Sequence, residues 1–175
     1  MGESEFEAAV TAHHAEIYRY LRRVAWGAGE ADDLSQETFL RAYRAWRTLT
    51  PDANVRAWLY AIATNVYRNH ARGEHRRRVA HAAVQAVPEG PGGEGPEEEA
   101  VFNEVKILTE RAVGALPFKQ RVAFTLRKMH DVDYATIGQS LGCSPESARA
   151  HVFQALRKIR ASLNGHVTLP TEHAR

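Results

Sequence analysis

The segment 133–163 constrains the fold most strongly, because it reads as two short helices joined by a tight turn. The first helix is predicted to end at Leu141, where Gly142 supplies a residue that turns left-handed at little cost. Ser144 follows as a predicted N-cap, and Pro145 as the first residue of the second helix. This pattern is typical of a helix-turn-helix, whose second helix enters the major groove of DNA.

The second predicted helix has two distinct faces. Apolar residues recur at helical spacing on one of them, at Ala148, Val152, Ala155, Leu156, Ile159 and Leu163. The other is polar and basic, with Ser147, Arg149, His151, Gln154, Arg157, Lys158 and Arg160. A pair of amphipathic helices with a solvated basic face fits this stretch as well, so the segment alone leaves DNA binding open.

Composition restricts the class of protein. The 175 residues are 44% hydrophobic and 25% charged, an ordinary soluble composition for one domain or two small ones. The net charge is only +2, so affinity for nucleic acid must come from local basic clusters. The single cysteine, Cys143, fits a reducing compartment; it is expected to fill the turn, and a redox role stays open. No apolar run approaches the ~18 residues that cross a bilayer, and the acidic N-terminus does not resemble an export signal.

Three helices are predicted in the N-terminal half: Glu5–Trp26, Leu34–Trp46 and Val55 to about Arg72. The third has the most regular apolar stripe, formed by Val55, Trp58, Leu59, Ile62, Ala63, Val66 and Tyr67. Its opposite face is predicted to expose Arg56, Tyr60, Thr64, Asn65, Arg68, Asn69 and Arg72. A basic cluster over residues 72–78 follows and suits phosphate contacts, although a solvated helix end would look the same.

The chain divides at an acidic segment rich in Pro and Gly. It predicts a flexible linker over residues 81–100, between a domain at 1–80 and one at 101–165, with a tail at 166–175. Helices are expected from Val101 to Leu116 and from Phe118 to His130, ahead of the helix-turn-helix. The expected fold is therefore all-α, with two small helical domains. The sequence shows no glycine-rich phosphate loop, metal-spaced Cys/His set or nucleophile motif.

Three motifs in order resemble the extracytoplasmic-function (ECF, group IV) sigma factors of the sigma-70 family. The first is DDLSQETFLRAYRAW, through Asp33, Gln36, Glu37, Phe39, Ala42 and Tyr43. The second is the WL-x-x-I-A-x-N helix, matched at Trp58, Leu59, Ile62, Ala63 and Asn65. The third is the C-terminal domain, including Leu116, Pro117, Ile137, Leu141 and the recognition helix. The resemblance covers nearly the whole chain except the linker and tail.

The resemblance implies a role for each half of the chain. The first domain, corresponding to sigma region 2, would dock on core RNA polymerase through Asp33, Leu34, Gln36, Glu37 and Leu40. It would also contact an opened minus-10 element through Asp52, Asn54, Asn65, Arg68, Asn69, Arg72 and Arg76. The second, sigma region 4, would read the minus-35 element as duplex through Ser144, Glu146, Ser147, Arg149, Ala150, His151, Phe153 and Gln154. Arg149 could pair with a guanine.

The family also implies partners and a compartment. These are core polymerase, through its beta-prime clamp and beta flap, promoter DNA and an anti-sigma factor, in a cytoplasmic protein that such a factor could hold at the membrane. The resemblance implies no catalytic residue, metal or cofactor and no membrane insertion. Two other interpretations stay open. An autonomous helix-turn-helix regulator would leave the N-terminal motifs unexplained, and an interaction protein with a degenerate sigma fold would be expected to lose the basic residues that remain here.

Overall fold

The computed structural model describes residues 2–25, 28–81 and 107–164, and these residues form helices and short connections without a strand. The N-terminal unit contains α1, Glu3–Ala25, α2, Ala28–Ala45, a short 3-10 helix, Trp46–Thr48, and α3, Val55–His81. The C-terminal unit contains α4, of which residues 107–114 are described, α5, Phe118–Met129, α6, Tyr134–Leu141, and α7, Pro145–Asn164. The predicted all-α fold is confirmed. The predicted linker beyond residue 81, the start of the helix predicted from Val101 and the predicted tail lie outside the described residues.

Two predicted helix boundaries are wrong. Helix α2 begins at Ala28 rather than Leu34, and α3 continues to His81 rather than ending near Arg72. Helix α2 includes Gly29, and α3 continues through Gly73. A single Gly in a helix costs only about 1 kcal/mol relative to Ala, which the packing of a long helix readily offsets.

Helix α3 is buried on more sides than one apolar stripe predicts. Tyr60 and Thr64, both expected at the surface, are fully buried because α1 packs against that side of α3. The Thr64 hydroxyl shares a 2.9 Å hydrogen bond with the hydroxyl of Tyr20. The Tyr60 hydroxyl donates to a carboxylate oxygen of Glu16 at 3.2 Å, and Arg56 pairs with the same oxygen at 3.0 Å. Burial raises the pKa of both tyrosines, so both remain protonated.

Local hydrogen bonds fix the helix-turn-helix. Helix α6 is capped by Asp133, whose carboxylate accepts from the backbone N–H of Thr136 at 2.9 Å. It ends at Leu141, and the following Gly142 has a φ of 61°, so the predicted left-handed conformation is confirmed. The backbone N–H of Ser147 then bonds the Ser144 hydroxyl at 3.2 Å, so the predicted N-cap of α7 is confirmed.

Gly138 permits the close approach of the turn to α6. A Cβ atom at this position would lie 2.7 Å from the carbonyl oxygen of Cys143. The backbone N–H of Cys143 donates to the carbonyl of Gly138 at 2.9 Å. The glycine therefore allows the chain to fold back directly against the helix that it has just left.

The two units pack against each other, which the sequence did not predict. Helix α6 packs on α3, and α5 packs on α1. One apolar cluster joins Leu59, Ala63 and Val66 of α3 to Ile137 and Leu141 of α6. The described residues of both units therefore share a hydrophobic core.

Aromatic contacts mark the seam between the units. The rings of Tyr67 and Phe118 stack with centroids 5.7 Å apart and planes 21° apart. Nearby, the His130 ring meets Tyr20 edge-on at 6.1 Å. Burial, together with the guanidinium groups of Arg23 and Arg19, lowers the pKa of His130 to about 4. The histidine is thus neutral near pH 7 and compatible with an apolar seam.

Candidate nucleic-acid interface

The outer side of α3 presents a polar surface, here called the α3 polar face: Asn65, Arg68, Asn69, Arg72 and Arg76. Asn65 is exposed, and its side-chain oxygen accepts from Arg68 at 2.9 Å. Asp52 and Asn54 are also exposed, in the preceding loop. Asn54 caps the helix by accepting from the backbone N–H of Ala57 at 3.0 Å. The seven residues expected to contact the minus-10 element therefore lie on α3 and the loop that leads into it.

Part of the α3 polar face lies under the C-terminal unit. Arg68 is half-buried, with its guanidinium carbon 5.1 Å from the ring centroid of Phe118. Asn69, Arg72 and Arg76 remain exposed. In this arrangement Phe118 occupies one side of a side chain that was expected to contact DNA.

The recognition helix α7 exposes most of its predicted contact residues. Seven of the eight are exposed: Ser144, Glu146, Ser147, Arg149, Ala150, Phe153 and Gln154. Phe153 is 67% exposed, which is unusual for an aromatic side chain without a partner to cover it. His151 is half-buried, and burial and the nearby Lys119 lower its pKa. A shallow groove of about 420 Å³ runs along this surface between Pro145 and Phe153.

Neighbouring helices orient two of these side chains. The Arg149 guanidinium carbon lies 5.1 Å from the centroid of Tyr134, and Arg127 lies at the same distance from that ring. Gln154 accepts a 2.8 Å hydrogen bond from Gln120 of α5. The sequence did not single out Tyr134 or Gln120, because the partners that they orient lie 15 to 34 residues along the chain.

Glu146 lies in the first turn of α7 and is fully exposed. Hydrogen bonds to its own backbone N–H and to Ser144 lower its pKa. The positive end of the helix dipole favours a carboxylate at this position. The ionised side chain is therefore available as a hydrogen-bond acceptor at the start of α7.

Helix α2 carries a third exposed surface. Asp33 and Gln36 are exposed, and Glu37 pairs with Arg41 at 2.6 Å. Leu40 is 45% exposed and Tyr43 52% exposed. Leu34 differs from its predicted place at the polymerase, because it is 5% exposed and belongs to the core. Its position on the apolar stripe of α2 explains this burial.

Family models match both halves of the chain. The model for Sigma-70 region 2 matches residues 9–77, and that for Sigma-70, region 4, matches residues 107–159. A Pseudomonas aeruginosa protein, the RNA polymerase sigma-H factor, is 31% identical over 168 residues, with coverage of 90% of this chain and 86% of that protein. The chain belongs to the sigma-70 family of RNA polymerase sigma factors. Among its relatives is the ECF RNA polymerase sigma-E factor of Escherichia coli K12, which is 30% identical over 156 residues and 82% of each chain.

Solved structures share the fold of this sigma factor. The sigma factor RpoE of Bartonella quintana, solved in complex with the anti-sigma factor NepR, has a TM-score of 0.69 at 19% identity. The comparison covers 93% of this chain and 99% of that one. CnrH, solved with the cytosolic domain of CnrY, has a TM-score of 0.68 at 20% identity and coverage of 95% and 92%. The region 2 match in the N-terminal half argues against an autonomous helix-turn-helix regulator.

No group of three or more His, Cys, Asp or Glu side chains in residues 2–25, 28–81 and 107–164 could hold a metal ion. Within the same ranges, no helix combines the length and apolar character needed to span a bilayer.

Proposed function

We propose that this sigma factor binds core RNA polymerase, directs it to a set of promoters and helps to open the minus-10 region. The observation that carries the proposal is the exposure of Arg149, Phe153 and Gln154 on the second helix of a helix-turn-helix, in a chain whose other half matches region 2. A duplex reader and a strand-opening unit in one chain are what promoter selection requires.

The recognition helix reads the minus-35 element in the major groove. Arg149 contacts a guanine through O6 and N7, and Glu146 accepts from a base amino group. Gln154 adds a polar contact and Phe153 an apolar one. The remaining predicted residues lie close to the sugar-phosphate backbone of the DNA: Ser144, Ser147, Ala150 and the half-buried His151. Each well-formed bidentate pair discriminates by about 1–3 kcal/mol.

The α3 polar face and the loop before it bind the opened minus-10 strand. Asn65 and Asn69 supply amide groups for unpaired base edges, and Arg68, Arg72 and Arg76 hold phosphates. Asp52 and Asn54 flank a base that has left the stack. Contact through Arg68 requires Phe118 to move away, so binding of both promoter elements is accompanied by separation of the two units.

Core polymerase docks on α2. Asp33 and Gln36 are exposed and Glu37 is half-buried on the helix that also exposes Leu40 and Tyr43. Charged groups around an apolar centre are typical of a protein interface. The beta-prime clamp is the partner of this face, and the beta flap that of the C-terminal unit.

An anti-sigma factor controls this chain in the cytoplasm. The proposal draws on two structural relatives, one solved with the anti-sigma factor NepR and the other with the cytosolic domain of CnrY. A membrane-bound partner would hold the sigma factor at the membrane. The chain has no catalytic chemistry of its own, because the polymerase makes the transcript.

Two variants separate the roles of α2 and α3. Asn65→Ala should reduce promoter opening, followed by a fluorescent base in the minus-10 element, while affinity for core polymerase stays unchanged. Leu40→Ala should weaken polymerase binding, with opening per bound complex preserved. Asn164→Ala, at the exposed end of α7, is the matched control for Asn65 and should change neither. Equal loss of binding and opening in Asn65→Ala would refute a role for Asn65 in opening.

A further inference from the structure

Where the two units meet, α3 and α5 enclose a cleft of about 910 Å³. Its lining is strongly cationic and comprises Arg68, Asn69, Ala71, Arg72, Arg76, Phe118, Lys119, Arg121 and Leu141. Three of the cations come from α3 and two from α5, and no carboxylate belongs to this described lining. The cleft therefore exists only while the units are packed together.

Gathering five cations around one cleft is electrostatically unfavourable without a counter-charge. The carboxylate of Glu30 on α2 faces His70 at 3.4 Å and does not line the cleft. Elsewhere in the chain, Arg41, Arg56 and Arg127 each have a carboxylate partner. A bound anion would supply the counter-charge that the described lining of the cleft lacks.

The start of α5 adds two further features that favour an anion. Pro117, the N-cap, provides no side-chain acceptor for the first-turn N–H groups, and the following residues, Phe118 and Lys119, line the cleft. An uncapped helix N-terminus attracts negative charge through these groups and the helix dipole. In addition, the Nε atom of Arg121 is buried without a hydrogen-bond partner in the protein.

The aromatic side chains indicate which part of a ligand would be held. Phe118, the aromatic residue in the described lining, has Tyr67 stacked on its ring and the Arg68 guanidinium above it at 5.1 Å. Its ring is thus already engaged by protein groups and offers a poor platform for a nucleobase. The cleft suits a flexible chain of phosphate groups better than a stacked base.

We propose that the cleft binds a short phosphate chain, such as that of a nucleoside triphosphate or of inorganic polyphosphate, and that the bound anion stabilises the packed form. A ligand that binds only one of two conformations shifts the equilibrium towards it. The regulatory consequence rests on the proposed function. Arg68, Arg72 and Arg76 belong to the proposed minus-10 surface, so the anion would compete with the promoter strand.

Titration calorimetry of the full chain with inorganic tripolyphosphate, in the absence of magnesium, measures whether the cleft binds a phosphate chain. Lys119 is exposed, lines the cleft and is not one of the proposed DNA contacts. Lys119→Gln should weaken binding about fivefold, as expected for loss of one solvated charge contact. Lys128→Gln, exposed on the same helix but outside the cleft lining, is the matched control and should bind as wild type. Absence of binding, or equal loss in both variants, would overturn the site.

A nucleoside triphosphate tests whether a base adds to the affinity for the phosphate chain. It should bind with an affinity within a few-fold of that of tripolyphosphate, because the ring of Phe118 is already covered. If the nucleoside triphosphate binds and tripolyphosphate does not, the base is required, and the proposed recognition of the phosphate chain alone is wrong. Because the binding measurement uses no polymerase, its result on the anion site does not depend on whether the proposed transcription function is correct.

Fluorescence transfer tests the effect on the packed form. The donors are the three tryptophans, at positions 26, 46 and 58, which all precede α5. The acceptor is a dye attached to the cysteine of Lys158→Cys, in a protein in which Cys143→Ser removes the native thiol. Energy transfer then reports the distance between α7 and the N-terminal unit. Tripolyphosphate should increase transfer in this protein, and a further Lys119→Gln change should shift the response to about fivefold higher concentration. Unchanged or decreased transfer at saturating tripolyphosphate would overturn stabilisation of the packed form.

Discussion

The guanidinium of Arg149 lies over the ring of Tyr134, with its carbon 5.1 Å from the ring centroid. The ring belongs to α6 and the arginine to α7, so the contact links the two helices of the helix-turn-helix. Arg127 of α5 approaches the same ring and also pairs with Asp131 at 3.1 Å. Tyr134 thereby restricts where Arg149 can point.

We expect Tyr134→Leu to relax reading of one minus-35 base pair. An exposed cation–π contact contributes about 0.5–1 kcal/mol, so discrimination at that base pair should fall about two- to fivefold. Binding to a panel of single-substituted minus-35 duplexes measures it. Tyr134→Phe keeps the ring and should keep the preference; equal loss in both variants would assign the effect to the hydroxyl instead.

Gly138→Ala should destabilise the helix-turn-helix. The new Cβ would lie 2.7 Å from the Cys143 carbonyl, which belongs to the backbone and cannot rotate away. Overpacking of this kind costs about 1–3 kcal/mol, measurable as a lower urea midpoint. Gly73→Ala is the control, because nothing lies within 4 Å of its added Cβ, and the α3 helix should gain up to about 1 kcal/mol. A Gly138→Ala protein as stable as wild type would show that the turn can shift.

The carboxylate of Asp133 should make stability depend on acid pH. Hydrogen bonds from the backbone N–H and hydroxyl of Thr136 lower its pKa, so the folded state favours the ionised form. Its contribution is complete above the ordinary aspartate pKa of about 4 and is lost as pH falls through the lowered value.

Urea unfolding at a series of pH values tests this contribution. Asp133→Ala should lose about 1 kcal/mol near neutral pH, as for removal of a helix cap, and should lose less than wild type on acidification. Asp131→Asn removes a carboxylate that is 93% exposed and should change stability little. An acid response in Asp133→Ala as steep as that of wild type would contradict the assignment.

The elements that could be predicted from the sequence are those governed by neighbours along the chain. Gly142 and Ser144 define the turn because the left-handed residue and the cap act on backbone groups within a few positions. By contrast, burial of Tyr60 and Thr64 depends on α1, which packs on a second side of α3. A pattern with one apolar stripe predicts one buried face of a helix, so it cannot predict that a second, polar face of α3 is also buried.

Packing between the units is equally hidden from local patterns. The Tyr67–Phe118 stack joins residues on opposite sides of the acidic segment, and each ring alone fits its own helix stripe. The cationic cleft follows from that packing, so sequence reasoning assigned its α3 residues only to DNA.

Transcription reconstituted from purified core RNA polymerase and this chain tests the central claim most directly. With a library of promoter fragments, transcripts should start at discrete positions only when the chain is added, and Arg149→Ala should change which fragments are chosen. No promoter-specific transcript from a folded chain, together with tight duplex binding in the absence of polymerase, would contradict the account.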